Sequence, residues 1–164
     1  SQGESLFLYK SYIMDSILSI HSILRYLVLL FGVWAVFNAI TGVSSKRSYN
    51  GNDNKSNLFF MILTDIQLLL GLILLYNWVS NSGVSDLDMG TIMKDKAMRF
   101  WTVEHPIMMF LAWIFVHVSR TASKKATTDL SKHKKVLIFS GLALLIMLAS
   151  IPWPFREVIG RPLF

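Results

Sequence analysis

Four long apolar runs, separated by short polar segments, dominate the chain. Ile17 to Ile40 is interrupted, among strongly polar groups, only by His21, Arg25 and Asn38. Leu58 to Val79 contains Asp65, Gln67 and Asn77, Arg99 to Val118 contains Glu104, His105 and His117, and Val136 to Trp153 carries no charge. Each run is roughly 18–24 residues, which at ~1.5 Å per residue crosses a hydrocarbon core about 30 Å thick. A soluble core helix keeps a polar stripe, and Leu68–Leu75 and Gly141–Leu148 have none. The pattern therefore predicts an all-α integral membrane protein. Its helices should span about 16–42, 57–80, 98–120 and 135–153, in a single transmembrane domain covering residues 1–164.

The connections are short, which favours an up-down-up-down four-helix bundle. In that topology the first and third helices run parallel and lie diagonally across the bundle. The first connection, Ser44 to Lys55, is turn-rich and holds an Asn50-Gly51 pair. The second, Asn81 to Lys96, is long enough for a short surface helix. The tail Ile151-Pro152-Trp153-Pro154-Phe155-Arg156 should end the fourth helix at the interface, where Trp and Arg are favoured. Ser1 to Ser5 lacks the basic region and cleavage site of a secretory signal, so the first helix is expected to direct its own insertion.

Composition agrees with this pattern: 53% of the 164 residues are hydrophobic and the mean hydropathy is +0.49. The net charge of +6 invites a nucleic-acid reading, but the distribution of charge opposes it. Lys46, Arg47, Lys55, Arg120, Lys124, Lys125, Lys132, Lys134 and Lys135 fall in or beside the first and third connections, which share one side of the membrane. Only Lys10, Lys94, Lys96, Arg99, Arg156 and Arg161 fall on the other side. The positive-inside rule then puts both termini on the outer, periplasmic face of a bacterial inner membrane. It also sets the basic third connection against anionic lipid head groups. The absence of cysteine excludes disulfides, thiolate metal sites, c-type haem and cysteine-held iron–sulfur clusters.

Ionisable groups inside hydrocarbon are costly and need a reason. His21 and His105 both fall one to one and a half turns into parallel helices, about 6–9 Å below the outer interface. Two imidazoles facing each other at one level are what a six-coordinate haem iron requires. Arg25 is one turn deeper than His21 on the same face, placed for a haem propionate or for Glu104. The Ile17 carbonyl or the Ser22 hydroxyl is expected to fix the His21 ring. Pro106 must lie inside the third helix, where it frees the Thr102 carbonyl and opens space beside His105. His117, twelve residues beyond His105, is out of phase for a second haem and is expected to pack against Asp65 or Asn38. His133 sits among lysines and is expected to face water. Asp65 is either a proton-relay carboxyl, with His117 as the other relay candidate, or a protonated helix-packing donor; Gln67 serves as interhelical glue. Met108, Met109 and Met147 are core filling, with Met109 an alternative ligand.

The segments His21-Ser22-Ile23-Leu24-Arg25-Tyr26, Asp65 to Gly71, Arg99 to Met109 and Ile151 to Arg156 together resemble small bacterial inner-membrane proteins labelled cytochrome b-like. More distantly, ligation from diagonal helices is similar to the haem-bearing bundle of respiratory cytochrome b. This chain departs from that bundle in lacking a second ligand pair.

The leading expectation is a membrane b-type cytochrome with one haem b. His21 and His105 would be its axial ligands, Arg25 a propionate partner and Glu104 a supporting group. It would carry electrons to or from quinone or other respiratory subunits rather than act as an enzyme itself. One alternative is a cofactor-free accessory subunit in which His21, Arg25 and Glu104 only fix helix packing. The others are a proton or ion conductor using Asp65 and Glu104, and a divalent metal site at His21, His105 and Glu104.

Overall fold

The computed structural model describes residues 2–161, with side chains from Leu8 onward. Among these residues every regular element is helical. Helix α1 (Gln2–Ser45) and α2 (Gly51–Asn81) come first, followed by a 3-10 turn (Val84–Asp86) and a short helix α3 (Met89–Lys94). The third span combines α4 (Lys96–Arg99), a π-helical turn (Phe100–Glu104) and α5 (His105–Lys125); α6 (Asp129–Ser150) closes the set. Four helices, Leu8–Ser45, Gly51–Asn81, Lys96–Lys125 and Asp129–Ser150, are long and apolar enough to cross a membrane.

The helix limits differ from expectation for local reasons. No proline precedes Ser45 and no glycine lies between Gly3 and Gly32, so nothing stops α1 from extending upstream of residue 16. Its 44 residues are far longer than one crossing requires. Helix α6 starts at Asp129, because the Thr128 hydroxyl caps it by accepting from the Ser131 N–H. It stops at Ser150, because Pro152 drives Ile151 into extended backbone. The third connection thus shrinks to residues 126–128, and its lysines ride on helix ends. The second connection does contain a short helix, α3, capped by Asp88.

Helices α1–α2, α2–α5, α5–α6 and α6–α1 pack as neighbours, leaving α1 and α5 on one diagonal and α2 and α6 on the other. Each long helix buries one stripe at three- and four-residue spacing. On α6 the stripe is His133, Val136, Ser140, Ala143, Met147 and Ser150. On α1 it includes Val28, Gly32, Ala35, Ala39 and Gly42. Lipid tails are as apolar as Leu, so membrane helices associate through close packing of small residues and interhelical hydrogen bonds. At the end holding the first and third connections, those bonds link successive pairs. Asn38 donates to Ser56 at 3.2 Å, Asn57 donates to Ser123 at 3.2 Å, and the Ser119 and Ser140 hydroxyls meet at 2.8 Å.

His133 corrects the sequence-based expectation. It is fully buried, with its ring 5.1 Å from that of Tyr49, because the earlier start of α6 puts it in phase with Val136 and Ser140. It packs closely against Gly42, where an added Cβ would lie 2.2 Å from two of its ring atoms. Gly42→Ala should therefore destabilise the bundle by about 1–3 kcal/mol through overpacking. Equilibrium unfolding in mixed micelles should show a smaller loss when the same change is made in a His133→Ala background. Equal losses in both backgrounds would disprove the contact.

Candidate functional site

At the opposite end the stripes do not close. Side chains of α1, α2 and the third span line a cavity of about 540 Å³, and the chain beyond α6 contributes Ile151, Pro152 and Arg161. That volume lies within the roughly 300–1,000 Å³ typical of small-molecule sites. Most of the lining is apolar. The polar exceptions include His21, Arg25, Gln67, His105 and Arg161, with Asp15 at the exposed rim.

The two histidines enter this space from diagonal helices. Their relative depth follows from the helix contacts. Asn38 meets Ser56, which sets His21 opposite about Ile73 of α2. Trp78 donates to the Thr102 hydroxyl at 3.0 Å, which sets His105 opposite about Leu75. The two levels differ by about two residues, or ~3 Å along the axis.

Their surroundings differ. His105 Nδ1 lies 3.0 Å from the Ser150 carbonyl oxygen. A carbonyl can only accept, so Nδ1 carries the proton and the neutral ring keeps its lone pair on Nε2. Phe100 and Trp101 pack beside the ring at centroid distances of 5.6 and 5.9 Å. His21 is held through its backbone, whose carbonyl accepts from Gln67 Nε2 at 2.9 Å. Its Nδ1 is buried and has no hydrogen-bond partner; neither Ile17 nor Ser22 supplies the expected one. Its ring lies close to Gly71, where a Cβ would be 3.3 Å from Cε1.

Arg25 lines the cavity and stacks on Tyr26, with the guanidinium carbon 5.0 Å from the ring centre. Arg161, on the segment after α6, lies 4.2 Å over the Trp101 ring. Burial holds its guanidinium below the ordinary arginine pKa. Sequence reasoning counted Arg161 only as an outside charge and missed it as a lining residue. The one available signal was a second arginine, after Arg156, between the apolar residues of a proline-containing tail.

Glu104 does not join the group. It accepts from Arg99 Nε at 2.7 Å and is absent from the cavity lining. The expected His21–Arg25–Glu104 packing cluster and the His21–His105–Glu104 metal site therefore both lack a member. Among the described residues no three His, Cys, Asp or Glu side chains converge on a metal position. Pro106 sits just beyond the π-helical turn, in which the His105 N–H bonds to the Phe100 carbonyl. Met109 and Met147 also line the cavity.

Asp65 and His117 are brought together, as expected, on the α2–α5 flank. Asp65 Oδ1 accepts from Trp113 Nε1 at 2.7 Å and lies 2.7 Å from His117 Nε2. Glu104 precedes Trp113 by nine residues, about 14 Å along the span, so Asp65 and Glu104 do not form one relay. No family model, curated protein or solved structure matches the chain.

Removing the Asp65 carboxylate leaves the partly buried Trp113 and His117 N–H groups without that acceptor. In a double-mutant cycle, Asp65→Ala and His117→Ala should couple by about 0.6 kcal/mol, the average between membrane helices, and by no more than about 1.7 kcal/mol. Additive losses would show that the 2.7 Å contact carries no energy.

Proposed function

We propose that the cavity holds one haem b, with His21 and His105 as its axial ligands. The observation that carries this reading is the Nδ1–H of His105 bonded to the Ser150 carbonyl. Metal-bound histidines almost always donate their other N–H in this way, which fixes the tautomer and raises ligand basicity. A quinone carbonyl, by contrast, needs a donor, and this ring offers an acceptor. The near-equal depth of the two rings supports the same assignment; the His21 ring, whose buried Nδ1 has no partner, lacks the second bond that His105 has.

The remaining residues suit such an occupant. A haem carries two propionates, and Arg25 and Arg161 are two guanidiniums at one cavity. Trp101 and Trp78 line its walls. The group would supply one-electron redox chemistry. With two protein ligands its iron has no open position, so the protein would carry electrons rather than activate oxygen. We place the chain in a bacterial inner membrane, with the basic ends of α2, α5 and α6 in the cytoplasm and the histidine end at the outer face. Quinone or other respiratory subunits are the proposed redox partners.

Expression with ample haem should give a purified protein with a reduced b-type α-band and a low-spin signature. His21→Ala or His105→Ala should each abolish the low-spin form and lower haem affinity roughly tenfold or more. A wild type without the band, or a band that survives both substitutions together, would overturn the proposal.

A further inference from the structure

The closed end of the bundle carries a second cavity, of about 360 Å³, unconnected with the histidines. Tyr49, Asn50, Gly51 and Asn54 line it from the start of α2, Arg120, Ser123 and Lys124 from the end of α5, and Lys132 from the first turns of α6. Three helix ends thus meet at one opening, and two of them, α5 and α6, bring three cations to it.

Arg120 is the group that needs explaining. It is only 8% exposed. Its Nη1 donates to Asn54 Oδ1 at 2.7 Å and to the Asn54 carbonyl at 3.2 Å, while Nε is buried with no partner. It meets no carboxylate. A buried charge without a counter-charge is costly, and a buried guanidinium is retained where an anion completes it. The neighbouring carboxylates pair with other cations, one of them Lys132 of the pocket itself. Asp53 pairs with Arg47 at 2.7 Å, and Asp129 reaches Lys132 at 3.0 Å. Burial raises the Tyr49 phenol above its usual pKa, which keeps it a neutral donor. Asn50 already caps the α2 N-terminus by accepting from the Asn52 and Asp53 N–H groups. Side chains, not helix-end amides, must therefore hold whatever binds.

We propose that this pocket binds a phosphate group through Arg120, Lys124 and Lys132. Its position at the ends of three membrane spans makes an anionic phospholipid head group the natural source, with free phosphate as the other. The guanidinium provides planar donors matched to phosphate oxygens, Lys124 supplies charge at the exposed rim, and Lys132, held by Asp129 at 3.0 Å, flanks the site.

The test uses the full chain, delipidated and returned to nanodiscs of phosphatidylglycerol or phosphatidylcholine, with retained lipid counted by native mass spectrometry. The wild type should retain phosphatidylglycerol preferentially. Lys124→Gln, at the exposed rim, should weaken retention by about fivefold, and Arg120→Gln by more. Lys134→Gln, outside the pocket, should leave it unchanged. If Arg120→Gln fails to fold, Lys124→Gln decides alone. Displacement of the lipid by inorganic phosphate would support the pocket with free phosphate as its source. Equal losses in Lys124→Gln and Lys134→Gln, or no preference for phosphatidylglycerol together with no binding of inorganic phosphate, would overturn the proposal.

Discussion

Hydrocarbon gives helices no hydrophobic reason to adhere, so this bundle depends on how closely its backbones can approach. Small buried residues gather toward one end. Gly42 lies under the His133 ring, Ala35 and Ala39 are buried beside Val136, and short side-chain hydrogen bonds join α1 to α2, α2 to α5 and α5 to α6. Toward the other end the lining turns to long or bulky groups such as Met109, Trp101, Trp78 and Arg25, and the helices leave a cavity between them. Hydrogen bonds at both ends set the register, Asn38–Ser56 at the tight end and Gln67–His21 and Trp78–Thr102 at the open one. His21 and His105 reach nearly equal depths because Asn38–Ser56 and Trp78–Thr102 hold α1 and the third span against the same helix, α2.

Much of this was legible in the sequence because membrane spans are governed by one strong rule, the exclusion of unsatisfied backbone from lipid. Four apolar runs with few polar interruptions become four helices long and apolar enough to cross a membrane. Helix ends were less legible. Their positions turn on Thr128 as a cap and Pro152 as a stop, and on the absence of any breaker before Gly32 in α1. The misplaced start of α6 then propagated. With the helix begun at Asp129, His133 falls on the buried stripe, although its lysine neighbours suggested water. Those lysines occupy the other faces of the same turn.

The cavity was legible in part. His21, Arg25 and His105 are all on it, since an intramembrane ionisable group seldom faces lipid. Arg161 escaped because it lies outside every span, and its place depends on how the chain folds back after Pro154. Its backbone N–H bonds to the Pro152 carbonyl at 3.0 Å, which directs the side chain over Trp101. No periodicity in the sequence encodes such a return.

Glu104 shows why helical phase arithmetic failed at one place. Counting about 100° per residue separates Arg99 from Glu104 and turns Glu104 toward the α1 histidine. The segment Phe100–Glu104 is instead a π-helical turn, in which positions five apart become hydrogen-bonded neighbours. Arg99 and Glu104 then stack at 2.7 Å, and the carboxylate leaves the cavity. The next proline has no N–H to give, so an extra residue just ahead of Pro106 disturbs a ladder that was already broken there. The same turn carries Trp101 onto the cavity wall and ends directly at His105, whose ring reaches across to Ser150 of α6. One inserted residue thus removes the acid that would compete for the imidazole and delivers that imidazole to a carbonyl that fixes its tautomer. Turns of this kind occur frequently at functional sites, and the position of this one marks His105 more strongly than its burial does.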